Sequence, residues 1–322
     1  MRRVTEATGD PVAALALAQD LGRDMRRLDR PGFLGHWEML ATLGSVDLGV
    51  ARIVEPHLDA LNILDEADSI LASDDDLSWG VFAAEGAGHG LKASLINEEW
   101  TLDGTKPWCS ASGLLTRAVV TAHDGGERRT FAVDLRHPGV VPAGPPWAGR
   151  GLTEVPSGAV AFHRVPAVPI GAAGWYFHRP GFSWGGIGVA AVWHGAMVAL
   201  ARRLLEHCTT RDPDQIALMH LGMADAAIQS SANALRTAAD LFRAPTSTHP
   251  SATAARTRAI VVQSVESVLA VAARGMGPAP LAFEPGHAKR VADLSLYLRQ
   301  DHGERSLAGL GALLVAAEKE PW

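Results

Sequence analysis

At 322 residues the chain has room for one large domain or two to three small ones, and its 47% hydrophobic and 20% charged composition suits a packed core and excludes an intrinsically disordered chain. A net charge of −6 carries no electrostatic footprint for nucleic acid; the basic pairs Arg26-Arg27 and Arg202-Arg203 sit on amphipathic stretches as solvated helix faces. Two cysteines far apart, Cys109 and Cys208, make neither a disulfide framework nor a zinc pattern, so a reducing cytoplasm is expected. The N-terminus starts basic but lacks the apolar region of a signal peptide. The longest apolar run, 185–201, is interrupted by His194 and falls short of the roughly 20 residues of a bilayer span, which predicts a buried helix and no membrane span.

Along the chain, residues 1–77 have helical periodicity. Asp10-Pro11 pairs an N-cap residue with Pro at the first helical position, and 13–28 continues with helical spacing. A second apolar helix is expected over 38–64, interrupted at Gly44 and Pro56. From 78 to 172 the texture changes to short apolar runs separated by turn residues: 79–84, 91–95, 100–102, 118–122, 130–133 and 159–162 read as strands of a small antiparallel sandwich or barrel. Asp103-Gly104 predicts a tight hairpin, after which a second strand would carry Trp108 and Ser110 on one face. Lys106-Pro107 is unusual for a central strand, because Pro donates no ladder hydrogen bond. Asp124-Gly125-Gly126 marks another turn. Residues 185–318 are helical again. Asp212-Pro213 repeats the cap-then-Pro pattern, 216–242 and 256–273 are Ala-rich helices, 243–253 is a loop, and 287–317 is helical with a break near Gly303. Antiparallel helices with short connections make a four-helix bundle.

Several motifs are rejected on context. Gly186-Ile187-Gly188-Val189-Ala190-Ala191 fits a dinucleotide fingerprint, with Glu206 at suitable distance, but Arg179-Pro180-Gly181-Phe182-Ser183-Trp184 precedes it in place of a strand. A close-packed helix explains these glycines better. The thirteen histidines form no metal-binding spacing, so no metal site is expected, and His194 reads as a core or interface histidine. No nucleophile elbow or phosphate loop is present. Arg299-Gln300-Asp301-His302-Gly303-Glu304 is a dense ionisable cluster beside a helix break, either a site with tuned pKa values or a solvated turn.

The order of helices, β-domain and four-helix bundle, together with several segments between Leu40 and Gly311, resembles the acyl-CoA dehydrogenase superfamily. Leu102-Asp103-Gly104-Thr105-Lys106-Pro107-Trp108-Cys109-Ser110 is similar to that family's G-x-K-x-W-I-[TS] segment. Phe82-Ala83-Ala84-Glu85-Gly86-Ala87-Gly88-His89 resembles a worn T-E-P-x-x-G-S loop, with Ala84, Gly86 and His89 in place of Thr, Pro and Ser. Residues 151–169 resemble the strand that closes the family's β-domain.

The resemblance implies an α+β, acyl-CoA dehydrogenase-like fold: an N-terminal helical domain (1–77), a central antiparallel β-sandwich or barrel contacting flavin (78–172) and a C-terminal four-helix bundle (185–318). It implies FAD, with the isoalloxazine against Trp108, Cys109 and Ser110, the Ser110 hydroxyl toward flavin N5, and Phe82, Ala84 and Glu85 on the neighbouring loop. Arg211 and Gln215 are the residues left to hold the pyrophosphate of a neighbouring subunit's FAD, and Gly275-Met276-Gly277-Pro278 replaces the family's G-G-x-G. The family's catalytic Glu falls, counting from Asp293, on Asp301, next to His302. The implied activity is oxidation of an acyl thioester carried by CoA or a carrier protein: α-proton abstraction by Asp301 and β-hydride transfer to N5, with Phe82, Trp175 and Trp184 as candidates for the acyl pocket. Two alternatives stay open: a reduced-flavin monooxygenase using His302, and a flavin-free scaffold or partner subunit. Apolar Ala-rich helices and the family habit predict a homodimer or homotetramer joined through the bundle.

Overall fold

The computed structural model describes residues 1–27, 32–73, 76–86, 88, 90–243 and 250–317. The predicted end of the first helix at Leu28, His89, most of the predicted 243–253 loop and residue 318 lie outside the described residues. Four helices open the chain: α1 (Arg2–Glu6), α2 (Pro11–Arg27), α3 (Phe33–Val46) and α4 (Leu48–Glu66). Asp10 caps α2 as expected, its carboxylate accepting from the N–H groups of Val12 and Ala13. The second apolar stretch is broken at neither Gly44 nor Pro56. Asp47 breaks it by leaving the helix (φ −151°) and capping α4 through the Val50 N–H. Pro56 sits one turn or more inside α4, and Gly44 lies where α3 crosses a later helix.

Seven strands follow: β1 (Trp79–Phe82), β2 (Leu91–Ile96), β3 (Glu99–Lys106), β4 (Arg117–Asp124), β5 (Glu127–Asp134), β6 (Val140–Ala143) and β7 (Ala159–Ile170). Strands β4, β2, β3, β7 and β5 form a ring that β5 closes on β4, with β1 beside β4 and β6 beside β7. The sheet is mixed and not purely antiparallel: β1 runs parallel to β4, and β2 meets β4 in parallel at Lys92–His123.

The Asp103-Gly104 hairpin is corrected. Those residues lie within β3, and the turn is Asn97-Glu98, both at positive φ, between Ile96 and Glu99. Gly104 answers a different demand. It stands at φ +119°, where a Cβ would come within 2.1 Å of the Gly90 carbonyl oxygen. Opposite it, β7 carries one extra residue, because Leu102 pairs with Val165 and Gly104 with Phe162. The Gly125-Gly126 turn joins β4 to β5 as expected.

The remaining helices are α5 (Trp175–His178), α6 (Gly181–Thr209), α7 (Gln215–Arg243), α8 (Pro250–Met276), α9 (Ala279–Phe283), α10 (Pro285–Tyr297) and α11 (Glu304–Val315). Asp214, not Asp212, caps α7 through the Ala217 N–H. The 186–191 glycine motif lies inside α6, and His194 bonds Ser231 of α7 at 2.8 Å, burial pushing its pKa down to about 4. The apolar run of 185–201 is part of a 29-residue helix. Both α6 and α8 are long and apolar enough to cross a bilayer; 67% of the α6 window is buried inside the protein, against 44% for α8.

Helices α6, α7 and α8 pack on one another, and α3 lies along α6 more extensively than any other helix pair. Glycines allow that approach. A Cβ on Gly44 would meet the Val192 carbonyl oxygen at 2.2 Å, and one on Gly195 the Ala41 carbonyl oxygen at 1.8 Å. Gly195→Ala is therefore expected to force α3 off α6 and cost about 3 kcal/mol, the upper range for overpacking, read as a lowered urea midpoint. One buried apolar cluster contains residues from the N-terminal helices, the sheet and the C-terminal helices alike.

Candidate functional site

After Lys106 the chain leaves β3, and Trp108 (φ +59°) and Ala111 (φ +55°) turn it sharply. The strand alternation that was to place Trp108 and Ser110 on one face therefore does not hold. The Trp108 side is 58% exposed, Cys109 is fully buried with its thiol toward the Lys106 carbonyl oxygen, and Ser110 is turned inward. Burial pushes the Cys109 thiol up to about 12, so it stays protonated and inert.

Ser110 lines a cleft with Arg52, Ile53 and Pro56 of α4, residues 79–82 of β1, Ala111 and Leu115. Its hydroxyl is engaged there. Arg52 Nη2 donates to Ser110 Oγ at 2.9 Å, Ser110 and Ser157 hydroxyls share a 2.7 Å bond, and Ser157 donates to the Val155 carbonyl oxygen at 3.2 Å. With Ser157 donating onward, Ser110 donates to Ser157.

Phe82 shares the cleft, whereas Ala84 and Glu85 follow it on a loop beside the sheet. Lys106, Arg128 and His123 surround the Glu85 carboxylate at 3.1, 3.0 and 3.2 Å. Burial works against the Glu85 charge, but its bonds to Lys106 and its other cations hold the carboxyl below the ordinary range. Of the proposed acyl-pocket aromatics only Phe82 stands here. Trp175 packs under the sheet by Gly171, and Trp184 packs on Phe33 and His36.

Asp301 is buried in the break before α11. Its carboxylate accepts from Arg258 Nη2 (3.3 Å) and from the Gly303 N–H (2.9 Å). His302 is exposed, its N–H donating to Ser306. Arg211 is exposed on the α6–α7 connection and Gln215 is exposed at the start of α7; neither lines the cleft. Contacts run without a gap from Ser110 to Asp301: Arg52 lies 5.3 Å from the Tyr297 ring, Tyr297 packs edge-on against Trp193, and Arg258 lies over Trp193 and reaches Asp301.

The sequence reading passed over α4 as a source of functional groups. One face of this helix carries Arg52, Glu55, Asp59 and Glu66 at helical spacing, the signal that could have found them. Arg179 binds Asp59 and Glu66 at 3.4 and 3.0 Å, and the missing Cβ atoms of Gly181 and Gly185 leave space for those two carboxylates at the start of α6. Among the described residues Glu55 makes one ion pair, to Arg52 at a long 3.6 Å. Burial first, opposed by Arg52 and reinforced by Asp59, pushes the Glu55 pKa up to about 7.

No family model and no curated protein matches this sequence. Solved structures do. FMN-bound TdsC, a dibenzothiophene monooxygenase from Paenibacillus sp. A11-2, superposes with a TM-score of 0.82 over 99% of this chain and 98% of its own, at 14% identity. Butyryl-CoA dehydrogenase from Megasphaera elsdenii gives 0.76 over 86% and 80%, at 18% identity. Methanesulfinate monooxygenase MsuC from Pseudomonas fluorescens gives 0.74 over 91% and 85%, at 13%. The chain has the acyl-CoA dehydrogenase-like fold that these enzymes share.

Proposed function

We propose that the chain is a flavin-dependent oxidoreductase whose isoalloxazine lies on Trp108, beside the cleft of Phe82, Ser110 and Arg52. The observation that carries this is the exposed indole of Trp108, held by a positive-φ turn two residues before Ser110, which lines a cleft between sheet and α4. Flavin, when bound, supplies the electron-accepting or oxygen-activating chemistry; the chain's residues seat and orient it. FAD requires an adenylate site as well, for which Arg211 and Gln215 of a neighbouring subunit are the candidates; FMN does not. Ile216, Met219 and Met223 form an exposed apolar stripe on α7 that supports a homodimer or homotetramer joined through the C-terminal helices.

The pairing of Asp301 with Arg258 favours a monooxygenase-type reaction over acyl thioester dehydrogenation. Both oxygens of the Asp301 carboxylate already accept from the protein, Oδ2 from Arg258 and Oδ1 from the Gly303 N–H, which ties the carboxylate to its own loop instead of leaving it free to reach an α-proton. The acyl thioester reading keeps one supporting observation, the contiguous contacts from Asp301 to Ser110.

Trp108→Ala is expected to weaken binding of FMN or FAD at least about fivefold while the far-ultraviolet circular dichroism stays unchanged, since stacking a base-like ring on an aromatic contributes about 1–3 kcal/mol. Undiminished binding places the flavin elsewhere, and wild-type protein that binds neither flavin restores the scaffold reading. Anaerobic bleaching of bound flavin by acyl-CoA thioesters would return Asp301 to the role of base.

A further inference from the structure

Helix α4 carries Arg52, Glu55, Asp59, Asn62 and Glu66 at alternating spacings of three and four residues, which puts them on one face over about 21 Å of helix. That face leads from solvent into the protein. The Asp59 and Glu66 side chains are each 20% exposed and that of Glu55 is 8% exposed. At the inner end Arg52 touches both Glu55, at 3.6 Å, and Ser110, at 2.9 Å, and lines the cleft with Ser110.

The segments that cover this face leave polar atoms along it unmatched. Trp79, which lines the cleft, Trp193, beneath the Arg258 guanidinium, and Arg179, beside Asp59 and Glu66, each bury a nitrogen that has no protein partner. Buried N–H groups of this kind are satisfied by ordered water. The cleft itself has room for about one water molecule.

We propose that Glu55 and Asp59 relay protons along this face between solvent and the Ser110 cleft. Resting on the flavin reading, this names the group that supplies the proton of the same site. Two electrons entering oxidised flavin call for one proton at N5. Glu55 gives up that proton, through a water in the cleft, and recovers one from Asp59, which is recharged from solvent. The arginines cannot carry it, because a guanidinium keeps its protons; they hold the carboxyls in line. Too small for a substrate, the cleft suits a single water link.

The surroundings keep both carboxyls exchangeable. Arg52 and Asp59 face Glu55 from its own helix, Arg258 from α8, Tyr297 from α10 and Tyr176 from α5. Burial raises the Asp59 pKa against the Arg179 charge, with Glu66 adding to the rise. Glu55, at about 7, can both give and take a proton near neutrality.

The first test uses the full-length protein without flavin. Infrared spectra at pH 6 are expected to show a protonated-carboxyl band that Glu55→Gln removes. On transfer to D2O this band should shift within the mixing time. In Asp59→Asn the band should remain and its exchange should slow at least tenfold, and Asp59→Glu should restore the rate. Arg179 keeps its bond to Glu66 in both Asp59 variants, so the fold is retained. The second test loads the protein with FMN and reduces it anaerobically with dithionite, the electron donor, while a pH indicator follows proton uptake. Uptake should slow at least tenfold in Glu55→Gln and Asp59→Asn with FMN affinity unchanged, and Glu55→Asp should keep part of the rate.

A carboxyl band that survives Glu55→Gln, or exchange as fast in Asp59→Asn as in the wild type, overturns the relay. So does proton uptake at the wild-type rate in both variants, because the flavin then draws its proton directly from solvent beside the exposed Trp108. Exchange as expected in protein that takes up no flavin refutes the flavin reading alone; normal flavin binding with exchange and uptake unaffected by the variants refutes the relay alone.

Discussion

Glu55→Gln is expected to stabilise the protein at pH 8 by about 3 kcal/mol more than it does at pH 4. In the unfolded chain the carboxyl ionises at its ordinary 4.5, whereas burial in the fold keeps it protonated up to about 7. As pH rises between those values, the unfolded chain gives up a proton that the folded protein retains. The wild type therefore loses stability over that interval, at about 1.4 kcal/mol per unit, and loses no more once the folded carboxyl has also ionised. Glutamine keeps the shape and has no proton to lose. Urea midpoints of both proteins at several pH values measure the difference directly. A gap between variant and wild type that does not change with pH would show that Glu55 ionises normally and is solvated.

Lys289→Met is expected to cost about 3 kcal/mol at neutral pH, because breaking a largely buried ion cluster leaves uncompensated charge. The Lys289 ammonium contacts Asp47 at 3.0 Å, Glu154 at 2.6 Å and Asp293 at 2.6 Å. Asp47 caps α4, Glu154 belongs to the loop before β7, and Asp293 receives the Leu152 N–H at 2.7 Å. One lysine on α10 thus joins the α3–α4 corner to the β-region, and a Cβ on Gly49 or Gly151 would press into that joint. Without it three carboxylates face one another, two of them almost fully buried. The deficit should shrink as pH falls into the carboxylate range, since protonation removes the repulsion. Urea unfolding at pH 7 and pH 4.5 would show this; equal losses at both would assign the effect to packing of the lysine stem.

Much of the element order could be read from local signals. Helical spacing located α2, α6, α7 and α8, and alternation between turn residues located six of the seven strands. The Asp10 cap, the Gly125-Gly126 turn and the Gly303 break are set by a few adjacent residues. Errors came where two signals competed locally. Asp103-Gly104 carries strong turn chemistry, yet β3 continues through it because β2 and β7 pair on both sides, and the turn falls on Asn97-Glu98. Asp212-Pro213 carries cap chemistry, yet the helix starts two residues later. β6 is short and held mainly by its ladder with β7.

The candidate site divides in the same way. Phe82 and Ser110, which line the cleft, sit in motifs that resemble known segments. Glu85 sits in one too, but its carboxylate proves to be held by Lys106, Arg128 and His123 of the sheet. The orientation of Ser110 was not legible, because it depends on Arg52 from α4 and Ser157 from the loop before β7, 58 and 47 residues away.

By itself the sequence determined a packed chain of helices, then strands, then long helices, since periodicity, caps and turn residues act over a few positions. It also determined that Arg52, Glu55, Asp59 and Glu66 fall on one face of α4. Only the tertiary structure decided what that face does. Whether Arg52, Glu55, Asp59 and Glu66 are solvated or buried depends on Arg179, Arg258 and Tyr297 arriving from distant segments, and on glycines that let α6 approach. Burial and partner charge set the proton affinity of Glu55, and packing sets Arg52 between Ser110, Glu55 and the Tyr297 ring, and neither arrangement exists until those segments meet.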